Sequence, residues 1–482
     1  MQSLDCKLKG WNLFRGYNDV PISIGDQLRM DEGKLIGDLA RDLYPLGHLI
    51  SEYGEDALQI TSEYINRQDS TILFEAAFKS QQFITRADIL IPTNDSWHLI
   101  EVKSSTNFLL KSKSEQQKYI DDMAYTLMVI GNAIPIDRIS IMTISKDYRL
   151  GMDLNRLFVT SEVTERVVSR MFEFDKFKNI VAQEVTLENS PKPRWIYGCK
   201  SCEFFHSICL GKGIRHPIFN LPRITEKKCD ELFRINTYEI NFIPENIILT
   251  NGQMTIRNAT IKNEPYFTEN LKEDLEKIEW PIYYLDFETF KTALPIYTDV
   301  APHEQIVTQY SLHCRHHVNS DLEHMDYLAN PKLDCRRELV EHLLQDIGDR
   351  GSIIVYSNFE KTMLKALQKK FSFLENKIED TISRLIDLKI IIENNYYHPD
   401  FYGSYSIKNV LPILIPEMSY ADLSIKNGDE AIAVFSKMVK NDLTIDQVKN
   451  LRKQLLDYCY QDTLAMVKIH KKLLSVVGII KQ

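Results

Sequence analysis

No apolar run in these 482 residues approaches the ~18 needed to span a bilayer. The opening segment, MQSLDCKLKGWNLF, carries no apolar stretch of the kind found in a secretory signal. Both absences point to the cytoplasm. There, eight cysteines speak for metal ligation or catalysis more than for disulfides. Positive charge is not in excess: 58 Lys and Arg against 67 Asp and Glu leave a net charge of −9. That argues against a protein that coats nucleic acid through bulk charge. It leaves room for an enzyme that grips nucleic acid locally. The stretch KSSTNFLLKSKSEQQK (103–118) could hold phosphates, or could equally be a solvated helix start. There is no internal repeat and no low-complexity tract. A Gly-rich nucleotide loop and a Cys-x(3)-Cys-x(2)-Cys run are also missing, which removes the grounds for an iron–sulphur redox enzyme.

What is present is length and mixed patterning. The chain is too long for one ordinary core, so two or three domains are expected. Hydrophobic content of 44% and charged content of 26% are those of a soluble globular protein. Residues 26–47 have helical apolar spacing and end at a Pro and a Gly. Strand signals follow at 71–78, 86–92 and 97–103, then a helix at about 114–131 and a strand at 138–145. Residues 155–188 read as helical. Residues 215–278 are less periodic and suggest a short helix pair. A second pattern opens at WPIYYLDFETF (280–290), a buried strand ending in acids. Residues 352–371 read strand, turn, helix, and 445–474 read as one or two amphipathic helices. Alternating strands and helices make each half α/β. The expected domains are 1–213, a connector at 214–278, and 279–482.

Three charged residues stand out in RADILIPTNDSWHLIEVKSS (86–105). Ile89–Ile91 and Leu99–Ile100 read as strands, with Thr93–Ser96 as the turn between them. A symmetric hairpin sets Asp88 opposite Glu101. Opposed like charges destabilise a sheet, so a divalent metal shared by the two is the expected compensation. Lys103 falls on the same face as Glu101. Asp-x(12)-Glu-x-Lys on a hairpin resembles the core of PD-(D/E)XK nucleases, RecB-like branch. The resemblance implies that Asp88 and Glu101 hold Mg²⁺ or Mn²⁺. It gives Lys103 the role of orienting water and stabilising developing charge, and Glu75 that of supporting the site. An edge strand with alternating charges is the plainer alternative. Such enzymes often carry a His in the first helix and a Gln-x(3)-Tyr on the helix after the site. Here Gly37 and Arg41 stand near the first position, and Asp121 precedes Tyr125 by four at the second.

Cys199-x(2)-Cys202-x(6)-Cys209 offers three thiolates on a short turn. A fourth ligand completes tetrahedral zinc or an iron–sulphur cluster. Cys6 or His206 could supply it, and spacing alone does not choose. RecB-like nucleases of the CRISPR-adaptation and AddB type join one N-terminal Cys to three C-terminal ones around a [4Fe–4S] cluster. The set Cys6, Cys199, Cys202, Cys209 resembles that staple, which implies a structural cluster. Cys229, Cys314, Cys335 and Cys459 read as small buried hydrophobes.

Asp286 and Glu288 stand at i and i+2 of the strand YYLDFETF, on one face. Glu360 follows the next buried strand at a helix start. Tyr458 and Asp462 sit one helical turn apart. This order resembles the DEDD exonucleases of RNase H-like fold, although Glu360 replaces the usual Asp. It implies that Asp286, Glu288, Glu360 and Asp462 hold two Mg²⁺ or Mn²⁺ ions for attack of water on a phosphodiester, with Tyr458 orienting that water. Asp387 is a weaker candidate, and its plainer reading is a solvent-facing acid.

Over nearly its whole length, including NLPRITEKK in the connector, the chain resembles a bacterial family of unknown function. That family joins a cysteine-stapled RecB-like domain to one opening LDFET and closing YCxxDTxAM. The fold class implied is multidomain α/β: a restriction-endonuclease-like mixed sheet flanked by helices, then an RNase H-like domain. The activity implied is DNA hydrolysis, at single-stranded ends, in repair or phage defence. RNA as substrate, or a nucleic-acid scaffold with one inert site, is the alternative.

Overall fold

In the computed structural model the described residues are 2–17, 22–67, 70–318, 320–440 and 443–480. They fall into two compact units, both α/β. The first is 1–194 with 291–304, and the second is 195–290 with 305–482. Residues 214–278 belong to the second unit, and the segment 291–304 returns to the first. Among the described residues no helix is long and apolar enough to cross a membrane.

The first unit contains α1 (Gln2–Asp5), α2 (Lys7–Phe14), α3 (Ile24–Arg41), α4 (Gly54–Asn66), α5 (Lys113–Ile130) and α6 (Thr164–Thr186). Its sheet runs in sequence order: β1 (His48–Leu49), β2 (Leu73–Ser80), β3 (Phe83–Pro92), β4 (Trp97–Thr106), β5 (Ile136–Ile144) and β6 (Phe158–Glu162). The pairs β1/β2 and β4/β5 are parallel; the others are antiparallel. Side chains alternate across each strand. Phe74, Ile89 and Ile100 pack with Ala40 of α3. Leu73, Leu90 and Leu99 join the core formed with Ile120, Met123 and Leu127 of α5. Both faces are therefore covered, which is why the strands read as apolar runs. A capping box between Ser112 and Glu115 starts α5. Residues 155–188 are not wholly helical: Phe158–Glu162 is β6, because its β-branched residues complete an edge against β5.

In the second unit α7 (Glu226–Arg234), α8 (Asn251–Lys262) and α9 (Asn270–Glu276) precede β8, and α10 (Arg336–Ile347), α11 (Phe359–Lys370), α12 (Glu375–Ser383), α13 (Leu388–Asn395), α14 (Ile407–Leu414), α15 (Gly428–Lys440) and α16 (Ile445–Val476) follow β10. A two-stranded ribbon joins β7 (Tyr266–Phe267) to β13 (Tyr396–Tyr397). The main sheet holds β8 (Ile282–Phe290), β9 (Ile306–Arg315), β10 (Glu323–Leu328), β11 (Ser352–Val355) and β12 (Leu385–Asp387), in the order β10-β9-β8-β11-β12. The first three are antiparallel, and β11 and β12 run parallel to β8.

Alternation on β8 decides where its acids go. Tyr283, Leu285 and Phe287 join the core with α10, α11 and α12. The even positions face the other way: Tyr284 bonds His470 of α16, and Phe290 meets Phe435 of α15. Asp286 and Glu288 share that second face. The segment 445–474 falls within one helix, α16, of 32 residues, started by a Thr444–Gln447 capping box. At φ +86°, Gly351 brings its backbone against Pro281, and a Cβ there would lie 2.0 Å from the Pro281 carbonyl oxygen. Gly351→Ala is expected to destabilise the second unit by more than about 1 kcal/mol, read as a lowered thermal midpoint. An unchanged midpoint would show that this turn relaxes freely.

Candidate functional site

The hairpin expected around Thr93–Ser96 forms. Its register pairs Ile89 with Ile100 and Leu90 with Leu99. One further step sets Asp88 across from Glu101. On the other side β2 pairs Phe74 with Ile89 and Ala76 with Ala87, so Glu75 falls opposite Asp88. Three carboxylates thus occupy matched positions on three adjacent strands. Asp88 Oδ2 accepts the Val102 amide at 2.7 Å. Burial pushes the Asp88 carboxyl well above its ordinary pKa, and Glu101 and Glu75 add to it. Burial also raises Glu101, against the pull of Lys103.

Glu75 has φ 55°, in the left-handed region. A side-chain-bearing residue there stores roughly 1–3 kcal/mol, and such strain clusters at functional sites. Its carboxylate lies 3.3 Å from Arg86 Nε and 3.8 Å from Arg41 Nη1. Lys103 Nζ donates to Glu101 at 2.7 Å and to Asp122 at 2.6 Å. Burial lowers the Lys103 pKa, but Glu101 and Asp122 outweigh it and hold the ammonium above its ordinary value. All these groups except Asp122 line one cavity of ≈ 720 Å³.

Some of the neighbours differ from the expectation. Asp121 turns to α6, where Arg170 Nε donates to it at 2.7 Å. Tyr125 donates its hydroxyl to the Ile84 carbonyl. The acid of α5 that meets Lys103 is Asp122, one residue on. Arg86 was not anticipated. Its position two before Asp88 was the available signal.

In the second unit, ligand atoms of Asp286, Glu288 and Asp462 lie within 4.8 Å of one another. Among the described residues this is the group of three or more such ligands that close together. The β8/β9 register shifts between Glu288 and Thr289, with Thr308 of β9 as the extra residue, an irregularity over-represented beside active sites. Asp286 and Glu288 keep partial exposure, while Glu360 and Asp462 are buried.

The pKa values of these acids reflect their burial and mutual repulsion. Burial pushes Asp286 well up, with Asp462, Glu288 and Glu360 adding repulsion. Burial and Asp462 lift Glu288 to about 8, although Lys408 pulls it down. Burial takes Glu360 to about 7, against a Ser357 hydroxyl bond. Burial takes Asp462 to about 6, against a Tyr420 hydrogen bond of 2.5 Å. Tyr458 also bonds Asp462. Burial raises both phenols far above their ordinary values. The Lys408 Nζ stands 5.7 Å from each phenol ring.

Tyr420 and Lys408 carried no motif, being 42 and 54 residues before Asp462. The hydrophobe reading of Cys459 is incomplete. It is fully buried, yet its Sγ lies 3.4 Å from Asp286 Oδ2 as donor, because it rides on the α16 face that meets β8. Asp387 is half-buried and caps α13, accepting the Ile390 amide at 3.2 Å. It also adds repulsion to Glu360.

Cys6 belongs to the first unit, and Cys199, Cys202 and Cys209 to the second. Cys6 caps α2, with its sulfur accepting the Lys9 amide at 3.5 Å. Cys199 lies in the turn Tyr197–Ser201 and Cys209 ends the turn Phe205–Cys209. The Ile196 amide donates to Cys199 Sγ at 3.4 Å. Trp195 braces these turns, stacking on Phe219 and donating to the Cys209 carbonyl at 2.9 Å.

A family profile described as a domain of unknown function (DUF2779) matches residues 283–406. That stretch holds Asp286, Glu288 and Glu360 and ends before Tyr458. Uncharacterised proteins of three small bacteria are similar. One from Mycoplasma genitalium is 27% identical over 276 residues, 52% of this chain and 38% of the relative. One from Mycoplasma pneumoniae is 28% identical over 213 residues, 40% and 32%. One from Ureaplasma parvum is 24% identical over 256 residues, 48% and 37%. The chain spans about a third of the length of the curated relatives it matches. No solved structure matches.

Proposed function

We propose that the chain is a metal-dependent nuclease with a site in each unit, hydrolysing DNA at single-stranded ends in repair or phage defence. The observation that carries this reading is the convergence of Asp286, Glu288 and Asp462 ligand atoms within 4.8 Å. Four acids that repel each other this strongly are stabilised by divalent cations with oxygen ligands. The strand order β10-β9-β8-β11-β12, three antiparallel then two parallel, supports an RNase H-like arrangement. The matched positions of Glu75, Asp88 and Glu101, with Lys103 beside them, support a RecB-like first site.

Asp286, Glu288, Glu360 and Asp462 would hold Mg²⁺ or Mn²⁺ in the second unit, and Asp88, Glu101 and Glu75 in the first. Such ions supply Lewis acidity and a water of lowered pKa. Tyr458, anchored on Asp462, is positioned to orient that water. Lys408 offers positive charge to a phosphate oxygen, and Lys103 does so in the first unit. Cys199, Cys202 and Cys209 would supply ligands to a structural [4Fe–4S] cluster, with zinc as the alternative. The Ile196 amide directed at Cys199 suits a sulfur acting as a thiolate ligand. Cys459→Ala is expected to weaken Mn²⁺ binding about tenfold by removing the donor to Asp286. Calorimetric titration measures this, and unchanged affinity would make Cys459 mere packing.

The test is cleavage of 5′- and 3′-labelled single- and double-stranded DNA with Mg²⁺ or Mn²⁺, using anaerobically purified protein. Wild type, Lys103→Ala and Asp286→Ala are compared. Each variant is expected to lose a distinct set of products. If wild type cleaves neither DNA nor RNA with either metal, the reading fails. A second reading has one observation in its favour: the Lys103 ammonium is committed to two carboxylates. If Lys103→Ala changes no product, the first unit is a DNA clamp and hydrolysis belongs to the second.

A further inference from the structure

At the rim of the ≈ 720 Å³ cavity stands Tyr53. The residue is 81% exposed. The residue precedes α4 in the N-cap position but makes no side-chain cap bond, so helix capping does not account for it. Beneath the ring lies the Arg86 guanidinium, 5.0 Å from the centroid. Two backbone carbonyls hold that guanidinium, and a carboxylate lies beside it. Nη1 donates to the Glu52 carbonyl at 2.7 Å, Nη2 donates to the Ile50 carbonyl at 2.6 Å, and Nε lies 3.3 Å from Glu75 Oε2.

The tyrosine therefore rests on an immobilised plane, with its outer face bare. Its support also holds Glu75, which stands opposite Asp88. Arg86 thus links the ring to Glu75 and sits on the same strand as Asp88. Arg41, Lys34 and Lys103 supply cations within the same cavity. An exposed aromatic over a rigid base, beside cations spaced along a cleft, is a platform for stacking an unpaired base. Duplex DNA keeps its bases stacked on each other and cannot use it.

We infer that Tyr53 is a base-stacking residue that makes the first unit selective for single-stranded nucleic acid, seating one unpaired base while the adjoining phosphate lies towards Asp88 and Glu101. The inference rests on the nucleic-acid reading of that cavity.

Fluorescence anisotropy tests it with the full chain in Ca²⁺ and three labelled probes: a twelve-residue oligothymidylate, an abasic strand of equal length, and a twelve-base-pair duplex. Wild type is expected to bind oligothymidylate more tightly than the abasic strand. Tyr53→Ala is expected to weaken oligothymidylate binding about tenfold, in the range of one stacked base, and to leave the abasic strand unchanged. Tyr53→Phe is expected to behave as wild type, because the ring and not the hydroxyl stacks. Equal binding of the two strands by wild type overturns the inference. So does a Tyr53→Ala variant that loses nothing, or one that weakens both strands alike. Cleavage separates this from the nuclease reading. If base-dependent binding is lost in Tyr53→Ala while wild type cleaves nothing, the platform stands and the nuclease reading falls. If wild type cleaves and Tyr53→Ala binds and cleaves as wild type does, the nuclease reading stands and the platform falls.

Discussion

Asp286→Asn is expected to lower second-unit cleavage roughly a thousandfold, which is what several kcal/mol of lost metal-borne charge stabilisation amounts to. The same change is expected to leave the metal-free protein at least as heat-stable as wild type. The two effects share one cause. Asp286 is pushed well up by burial and by Asp462, Glu288 and Glu360. Its charge costs stability when no cation is bound, and a neutral amide of the same shape removes that cost. The amide oxygen still accepts from Cys459, so the local packing is kept. Calorimetry in EDTA at pH 8, beside the cleavage assay, separates lost chemistry from lost folding. A variant that unfolds several degrees lower than wild type in EDTA would mean that Asp286 is a structural acceptor, and the activity loss would then carry no weight.

The second large effect is a pH-dependent stability that metal reverses. Glu288, Glu360 and Asp462 stand at about 8, about 7 and about 6, against ordinary values of 4.5, 4.5 and 3.8. A carboxyl raised in the folded state binds more protons there than in the unfolded chain. Stability therefore falls as pH rises from about 4 to about 8. Buried His98, His313 and His470 are pushed down to about 4, about 3 and about 4 and act in the opposite sense below their unfolded value of 6.5. The cleaner window is thus about pH 7 to 8, where those histidines are neutral in the folded state and mostly neutral in the unfolded chain. Across it the metal-free midpoint is expected to fall by a few degrees, at roughly 2–4 °C per kcal/mol. Glu288→Gln should flatten that slope. Added Mn²⁺ should raise the midpoint most at pH 8, where the acids are more ionised to receive it than at lower pH. A slope that neither the variant nor the metal changes would mean that the acids do not respond as a group.

Local pattern made much of this legible. Two apolar runs around Thr93–Ser96 allow one register in which both faces stay buried, so Asp88 had to meet Glu101. The period of two on YYLDFETF put Asp286 and Glu288 on one face, and the i, i+4 spacing aligned Tyr458 with Asp462. Each rests on the geometry of a single element or a single turn. Residues 158–162 were misread because an edge strand of five residues exists only through its pairing with β5.

Sequence by itself determined the α/β character of both halves and the pairs of acids within each strand or helix. Tertiary structure alone decided which further groups join them. It chose Asp122 over Asp121: successive residues of α5 point about 100° apart, and the packing of α5 sets one beside Lys103 and the other beside Arg170. It brought Tyr420 and Lys408 to Asp462, and Cys459 to Asp286. It also drew Arg86 beneath Tyr53. Those approaches span many residues and depend on how whole helices pack on a sheet, which no spacing along the chain encodes.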